Sequence, residues 1–154
     1  MIMTLNDVLT RQNVITKVLL KDGDKELPKE LKVKIMRIRM AYAKIKKNFD
    51  SEVQEFINEL MSSELSELSQ KISRTDEENT RLEQLNSEIN TTYQEFLIQK
   101  GNEEVTTIKD DFITLDEYSD IVEVNAGNNV TINGNIVNDT DFLEIIYDLF
   151  VKEN

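Results

Sequence analysis

Glu30 and Lys32 have the residue types and the spacing of the Glu-X-Lys pair of metal-dependent nucleases, and Asp22 and Asp24 lie just upstream. In such enzymes the carboxylates and the lysine converge at the end of a strand and hold a divalent ion against a phosphate. Here the pair follows Pro28, which favours the first turn of a helix because its missing N–H costs nothing there. We therefore interpret the pair as part of a helix and not as a metal site.

A run rich in asparagine and aspartate, NAGNNVTINGNIVNDTD at residues 125–141, offers oxygen atoms of the kind that bind calcium. It lacks the alternating acidic spacing and the closing glutamate of the known calcium-binding loop. Its asparagines fall at expected turns, where Asn is favoured because its side chain hydrogen-bonds to nearby backbone. We expect turns here and no bound metal.

The chain contains neither histidine nor cysteine. Their absence removes the commonest general base, the commonest zinc ligand, thiolate metal sites, disulfides and every histidine-activated nucleophile. Chemistry based on carboxylate, lysine, tyrosine or carboxylate-bound metal remains. We therefore predict that the protein is not an enzyme and has no catalytic residue, metal site or cofactor.

Eight basic residues lie between residues 29 and 47, against Glu30 alone, in a chain whose net charge is −12. A helix that binds nucleic acid by base stacking would also carry several aromatic side chains, and this stretch has only Tyr42. We favour a solvated or internally paired basic face, neutralised by acidic segments at 50–67 and 101–154, over direct nucleic-acid binding. The candidate partner-binding residues of this face are Lys32, Arg39 and Lys46.

The C-terminal third of the chain is strongly acidic, with thirteen carboxylates in residues 101–154 against Lys109 and Lys152. A dense array of carboxylates can imitate the phosphates of a nucleic acid and occupy the binding groove of another protein. It is equally the ordinary surface of a small acidic protein, which is the interpretation that we favour. The acidic candidates for partner binding are Asp110, Asp111, Asp116 and Glu117.

The basic stretch also carries a regular apolar pattern that predicts a helix. Its apolar residues are spaced alternately by four and three positions, as in the heptad seam of packed helices. These seam residues are Leu31, Ile35, Ile38, Tyr42, Ile45 and Phe49. The seam can be buried within the chain or against a second copy, so a homo-oligomer through Leu31–Phe49 stays open. The pattern shifts between Phe49 and Val53, which indicates either a stutter or a helix break near residue 50, and a weak capping box at Ser51 and Gln54 favours the break.

Three helices are expected in a helical region over residues 1–100, and they lie near residues 4–20, 28–72 and 75–100. Thr75 and Glu78 form a capping box at the start of the third helix. Turn-forming residues near Ser73 predict a chain reversal, so that residues 28–100 form an antiparallel helical hairpin. One continuous rod is the alternative.

Residues 101–154 are expected to form a small antiparallel β-meander followed by a C-terminal helix. Segments rich in β-branched residues occur at 103–109, 120–124, 129–133 and 135–137. Asn133-Gly134 is the strongest short hairpin signal, and a capping box at Thr114 and Glu117 predicts a single helical turn. The predicted fold class is therefore α+β and mainly α.

The order of these parts resembles a family of small tailed-bacteriophage proteins of unknown function. Its members open with an amphipathic helix and begin a second helix with a K-E-L-P-x-K-L motif, which corresponds to Lys25–Leu31 here, with Glu30 in place of the second lysine. A long charged helical stretch and a short β segment follow, and then a C-terminal amphipathic helix with an acidic end, matched by Asp141–Glu153. Residues 62–80 are longer and richer in serine than the family pattern, and the hairpin around Asn133 is an insertion. The resemblance implies a phage origin and a non-enzymatic role, and it implies no site residues.

We therefore expect a non-catalytic bacteriophage protein that contacts phage or host proteins, as a virion or tail component or as an assembly factor. The alternative is an acidic anti-defence inhibitor that occupies the nucleic-acid-binding groove of a host defence protein. No stretch approaches the roughly 20 apolar residues of a membrane span, and the N-terminus lacks a signal-peptide pattern. We expect the protein in the host-cell cytoplasm and away from membranes, and incorporation into the virion stays open.

Overall fold

A computed structural model describes residues 2–19, 26–107 and 112–152 of the chain. Within these ranges the protein is mainly helical (74%), with six helices and two small antiparallel strand pairs, which confirms the predicted α+β, mainly α class. The elements in chain order are β1 (Ile2–Thr4), α1 (Leu5–Leu19), α2 (Lys29–Leu60), α3 (Ser63–Gln70), α4 (Asp76–Gly101), β2 (Glu104–Thr106), α5 (Leu115–Asn125), β3 (Val130–Ile132), β4 (Asn135–Val137) and α6 (Asp139–Phe150).

The chain divides into two compact units, and we describe each by itself. The first unit consists of Met1–Lys46 together with Glu104–Asn154, and the second is Lys47–Glu103. These limits differ from a simple division at residue 100, because α1 packs against α6 and β1 pairs with β2. The N-terminal residues therefore belong with the C-terminal third, and α2 contributes to both units.

The core of the first unit is built from α1, α2, α5 and α6. Each helix places apolar residues three or four positions apart, so that one face of each can be buried. In α2, the buried residues are Leu31, Ile35, Ile38 and Tyr42, which are the first four residues of the predicted heptad seam. They pack against side chains of the same chain such as Val14, Ile121 and Phe142. This part of the seam is therefore covered within a single chain.

The strands form two separate pairs instead of one meander. β1 pairs with β2 in antiparallel register, with Ile2 opposite Thr106. β3 and β4 form the hairpin predicted at Asn133-Gly134, where the two turn residues have φ values of 50° and 80°. Positive φ at both central positions is the requirement of a type I′ turn, which Asn and Gly meet with little strain.

Residues 120–124, predicted as a strand, lie within α5 instead. The Thr114–Glu117 capping box is confirmed, but it begins a helix of 11 residues and not a single turn. Ile121 is fully buried in the core, while Tyr118 and Val122 pack partly buried against the same cluster. These three residues share one helical face, so tertiary burial overrides the β preference of the segment.

α2 continues without interruption past residue 50, so the alternative of a break near residue 50 is wrong. A spacing of four residues keeps Phe49 and Val53 on the same face of an α-helix, and the helix therefore absorbs the stutter. Ser51 lies inside the helix, where its hydroxyl donates a hydrogen bond to the Lys47 carbonyl oxygen at 3.1 Å. The break occurs later, where Ser62 caps α3 by accepting a hydrogen bond from the Leu65 N–H.

In the second unit, α4 runs antiparallel to the C-terminal part of α2. The rings of Phe56 and Phe96 stack with centroids 4.0 Å apart, and Lys100 Nζ lies 2.9 Å from Glu52 Oε2. The step from Glu52 to Phe56 runs four residues forward along α2, and the matching step from Lys100 to Phe96 runs four residues backward along α4. The two helices are therefore antiparallel here. This pairing supports the hairpin over the rod in this unit. The Thr75–Glu78 capping box opens α4 as predicted.

Candidate protein-binding surface

The N-terminal part of α2 carries a second row of apolar side chains on the face opposite its buried seam. Val33, Met36 and Met40 have exposed fractions of 58%, 45% and 67%. We call these three residues the outer stripe. They are spaced by three and four positions, so they line one side of the helix. Exposed apolar rows of this kind on a helix are typical of contact surfaces.

Basic residues border the outer stripe on both sides. Lys32, Arg39 and Lys46 repeat every seven residues along one border, which places all three basic residues predicted for partner binding in one row. Arg37 and Lys44 form the row on the other border. Lys32, Arg37 and Lys44 are exposed, whereas Arg39 and Lys46 are half-buried. The aliphatic stems of such side chains extend the apolar surface while their charged ends stay in water.

Ion pairs among the described residues engage only part of the positive charge of the basic helix. Lys34 Nζ lies 2.7 Å from Glu117 Oε1, where α2 meets α5. Over residues 2–19, 26–107 and 112–152, neither Lys32, Arg37 nor Lys44 forms an ion pair. The expected pairing of the basic face with acidic segments of the chain is therefore seen at Lys34.

Glu117, one of the acidic candidates, has a structural role. Its Oε1 accepts hydrogen bonds from Lys34 Nζ and from the Thr114 N–H at 3.2 Å, and Thr114 Oγ1 accepts one from the Glu117 N–H. Burial raises the pKa of Glu117, but the hydrogen bonds from Lys34 and Thr114 outweigh burial and hold the pKa below its ordinary value. The ionised carboxylate therefore joins α5 to α2 and is engaged within the chain.

The other acidic candidates have different positions. Asp116 is exposed in the first turn of α5, where the helix dipole favours a negative charge. Asp110 and Asp111 lie outside the described residues. Of the two acidic candidates that the structure describes, Glu117 contacts the basic helix, and it does so through Lys34.

Tyr42, the aromatic residue of the basic stretch, is fully buried. Its hydroxyl accepts a hydrogen bond from Arg11 Nη1 at 3.3 Å, and the Arg11 guanidinium lies 5.2 Å from the centre of the Phe150 ring. Buried in the core, the Tyr42 ring is unable to stack on a nucleic-acid base. This placement weighs against base stacking by the basic helix.

The outer stripe is absent from the sequence-based prediction, although its signal is present there. Val33, Met36 and Met40 follow the same three-and-four spacing as the inner seam, shifted by two residues. They alternate with lysines and arginines, so this side of the helix resembles an ordinary charged surface when only the inner seam is considered. A search for a second heptad register in the same helix would find them.

Other parts of the described chain offer less chemistry. Across the described ranges, no cluster of three or more acidic residues is placed to hold a metal ion. No helix there is both long enough and apolar enough to span a membrane. In the second unit, a shallow groove of about 220 Å³ is lined mainly by apolar side chains, among them Ile57, Leu60, Ile89 and Tyr93, with Asn86 and Asn90 beside them. It contains no converging charged groups.

Comparison with known proteins found no relative: no protein-family model, no curated protein and no solved structure matches this chain. The function is therefore inferred from the geometry of the surface itself.

Proposed function

We propose that this chain is a non-enzymatic bacteriophage protein that acts through protein–protein contacts, as a virion or tail component or as an assembly factor. The observation that carries the proposal is the outer stripe of Val33, Met36 and Met40 between two basic rows. Covering apolar side chains from water is favourable, and the surrounding charges select which surface covers them. The phage origin comes from the resemblance in the order of parts.

A contact role also fits the residues used. Methionine is unbranched and polarisable, and it adapts to irregular partner surfaces. The stripe lies on an α-helix whose opposite face is anchored in the core through Ile35 and Ile38, so the contact surface is held on a rigid element. A rigid surface loses little conformational entropy on binding, which favours affinity.

Mass spectrometry of purified phage particles and of assembly intermediates tests the proposal. We expect the protein in at least one of these, and we expect the double variant Met36→Glu/Met40→Glu to be absent from particles or to stop assembly at a defined step. Ile136→Glu is the matched control, because Ile136 is 79% exposed and lies on β4 and not on α2. Absence of the protein from every particle and intermediate, together with normal assembly of the stripe variant, would contradict the proposal.

One observation favours a second candidate function, an acidic inhibitor that occupies the nucleic-acid-binding groove of a host defence protein. Asp116, Asp120 and Glu123 repeat at intervals of four and three residues, which places a line of carboxylates on one side of α5. Such an inhibitor would bind a basic host protein with strong salt dependence. Binding that is lost in Asp116→Asn/Asp120→Asn and kept in Met36→Glu/Met40→Glu would favour this candidate over the first.

A further inference from the structure

The outer stripe fits the heptad pattern of a coiled coil. Val33 and Met40 take the a positions and Met36 takes the d position, with half-buried Ala43 at the next d position. The residues at e and g, which border such a seam, are Glu30, Lys32, Arg37, Arg39, Lys44 and Lys46. α2 therefore carries two heptad registers, an inner one that is buried in the core and an outer one that is exposed.

The e and g positions of a coiled coil determine which helix is accepted as the partner, since they lie opposite the e and g positions of that helix. Five of the six residues at these positions are basic here, and Glu30 is the exception. Two copies of the outer stripe placed face to face would bring basic residues against basic residues. This repulsion disfavours self-pairing and requires a helix with negative charges at the matching positions.

The described part of this chain offers no such helix. Outside α2, its exposed large apolar side chains each lie on a different segment and form no row: Ile2, Met61, Ile72, Ile98, Leu115 and Ile136. The described part of a second copy therefore presents no heptad face that would cover the stripe, which favours an occupant from another protein.

We propose that the outer stripe forms a short heterotypic coiled coil with an amphipathic helix of another protein, which carries apolar residues at a and d and acidic residues at e and g. The inference rests on the proposed function and specifies the chemistry of the partner. The chain as a whole has a net charge of −12, which repels an acidic partner at long range. At physiological ionic strength the screening length is about 8 Å, so the attraction acts between the basic rows and the partner's carboxylates at contact.

Binding of synthetic helical peptides to the full chain, measured by calorimetry, tests the proposal. The probe is a peptide of about three heptads with Leu and Ile at a and d and Glu at e and g, and its counterpart has Lys at e and g. We expect the acidic peptide to bind and the basic peptide not to bind. Met36→Ser/Met40→Ser should weaken the binding of the acidic peptide at least about tenfold. Ile136→Ser should leave it unchanged.

Two charge variants sharpen the test. Arg37→Glu/Lys44→Glu reverses one basic row at exposed positions and leaves the other row basic, so it should weaken binding of the acidic peptide and abolish the preference for it. Glu30→Lys completes the set of basic e and g residues and should strengthen binding of the acidic peptide. Circular dichroism and thermal melts of each variant verify that the fold is retained.

Several results would overturn the proposal: no binding of the acidic peptide, equal binding of both peptides, or full binding by Met36→Ser/Met40→Ser. Binding of duplex DNA or anionic vesicles through the stripe, without peptide binding, would overturn it as well. These failures are distinguishable from failure of the proposed function. If the protein is found in particles but does not bind the acidic peptide, the result contradicts the coiled coil alone. If the protein is absent from particles and its stripe is dispensable for assembly, the result contradicts the proposed function.

Discussion

The two faces of α2 within the first unit have the same spacing of apolar residues, but one face is buried and the other is exposed. On the inner face, Ile35, Ile38 and Tyr42 have no exposed surface, whereas on the outer face Val33 and Met40 are more than half exposed. Apolar side chains from α1, α5 and α6 cover the inner face, and within the described ranges no element covers the outer one. Periodicity therefore indicates that a helix has an apolar face, but the rest of the fold decides whether that face is core or surface.

The residue types of the two faces also differ. The inner face uses Leu, Ile and Tyr, and the outer face uses Val and Met between basic residues. Branched side chains have few rotamers and suit a close-packed core, while methionine has three rotatable bonds and suits a surface that adapts to a partner. The basic rows keep the outer face hydrated, and in the proposed complex a partner with complementary charges covers it. On this proposal the inner face serves stability and the outer face serves recognition.

Truncation on the inner face should give the largest effect on stability. Ile38→Ala removes a fully buried side chain and leaves a cavity, so we expect the free energy of unfolding to fall by about 2–5 kcal/mol. Met40→Ala, at a 67% exposed position of the same helix, should change it by less than about 0.5 kcal/mol. Urea denaturation followed by circular dichroism measures both values. Equal losses in the two variants would mean that the faces do not differ as described.

An intermediate effect is expected from Tyr42→Phe, which removes a hydroxyl from the inner face and leaves the ring in place. The lost hydrogen bond from Arg11 should lower the free energy of unfolding by about 1 kcal/mol, because the guanidinium group next to the buried ring loses an acceptor. The same denaturation experiment measures the change. A loss as large as that of Ile38→Ala would contradict this expectation, because it would exceed the contribution of one hydrogen bond.

Most elements of the fold could be predicted from local signals. The capping boxes at Thr75 and Thr114 and the hairpin at Asn133-Gly134 act within four residues of chain, and all three are confirmed. The prediction differs from the structure where contacts with residues far along the chain determine the local conformation. Residues 120–124 form part of a helix because Ile121 packs into the core, and β1 forms because β2, far along the chain, pairs with it.

The candidate surface could be predicted only in part. Charge alone identifies Lys32, Arg39 and Lys46, and these residues do border the outer stripe. Sequence spacing does not tell which of two apolar rows on one helix is covered by the other helices. The role of Glu117 could not be predicted from the sequence either, because its pairing with Lys34 depends on the packing of α5 beside α2.

A small, pH-dependent effect is expected from the ion pair between Lys34 and Glu117. Glu117→Gln keeps a residue that suits the capping box and removes the charge, so it should lower the free energy of unfolding near pH 7 by less than about 1 kcal/mol. Folding lowers the pKa of Glu117, so the stabilisation is present above the pKa of the unfolded state and is lost as the pH falls through the folded value. The difference between Glu117→Gln and the wild type should therefore shrink as the pH falls through the folded pKa and disappear below it.

A double-mutant cycle isolates this pair. Lys34→Met and Glu117→Gln should be non-additive near pH 7, since each variant already removes the same interaction. The coupling energy should approach zero in acid, where the carboxylate is protonated. A coupling that persists unchanged at low pH would show that packing, and not charge, links α5 to α2.

The smallest effect on stability should come from oxidation of the outer stripe. Peroxide converts exposed methionine to a polar sulfoxide, so Met36 and Met40 should react readily, together with Met61, which is 53% exposed. Their oxidation should leave the unfolding midpoint unchanged, because the side chains make little contribution to the core. It should abolish binding of the acidic helical peptide, and methionine sulfoxide reductase should restore that binding. Mass spectrometry of tryptic peptides identifies the oxidised residues, and Met61→Leu removes the exposed methionine that the structure describes outside the stripe. A fall in the unfolding midpoint on oxidation of Met36 and Met40 would mean that the outer face is part of the core, and the contrast between the two faces of α2 would not hold.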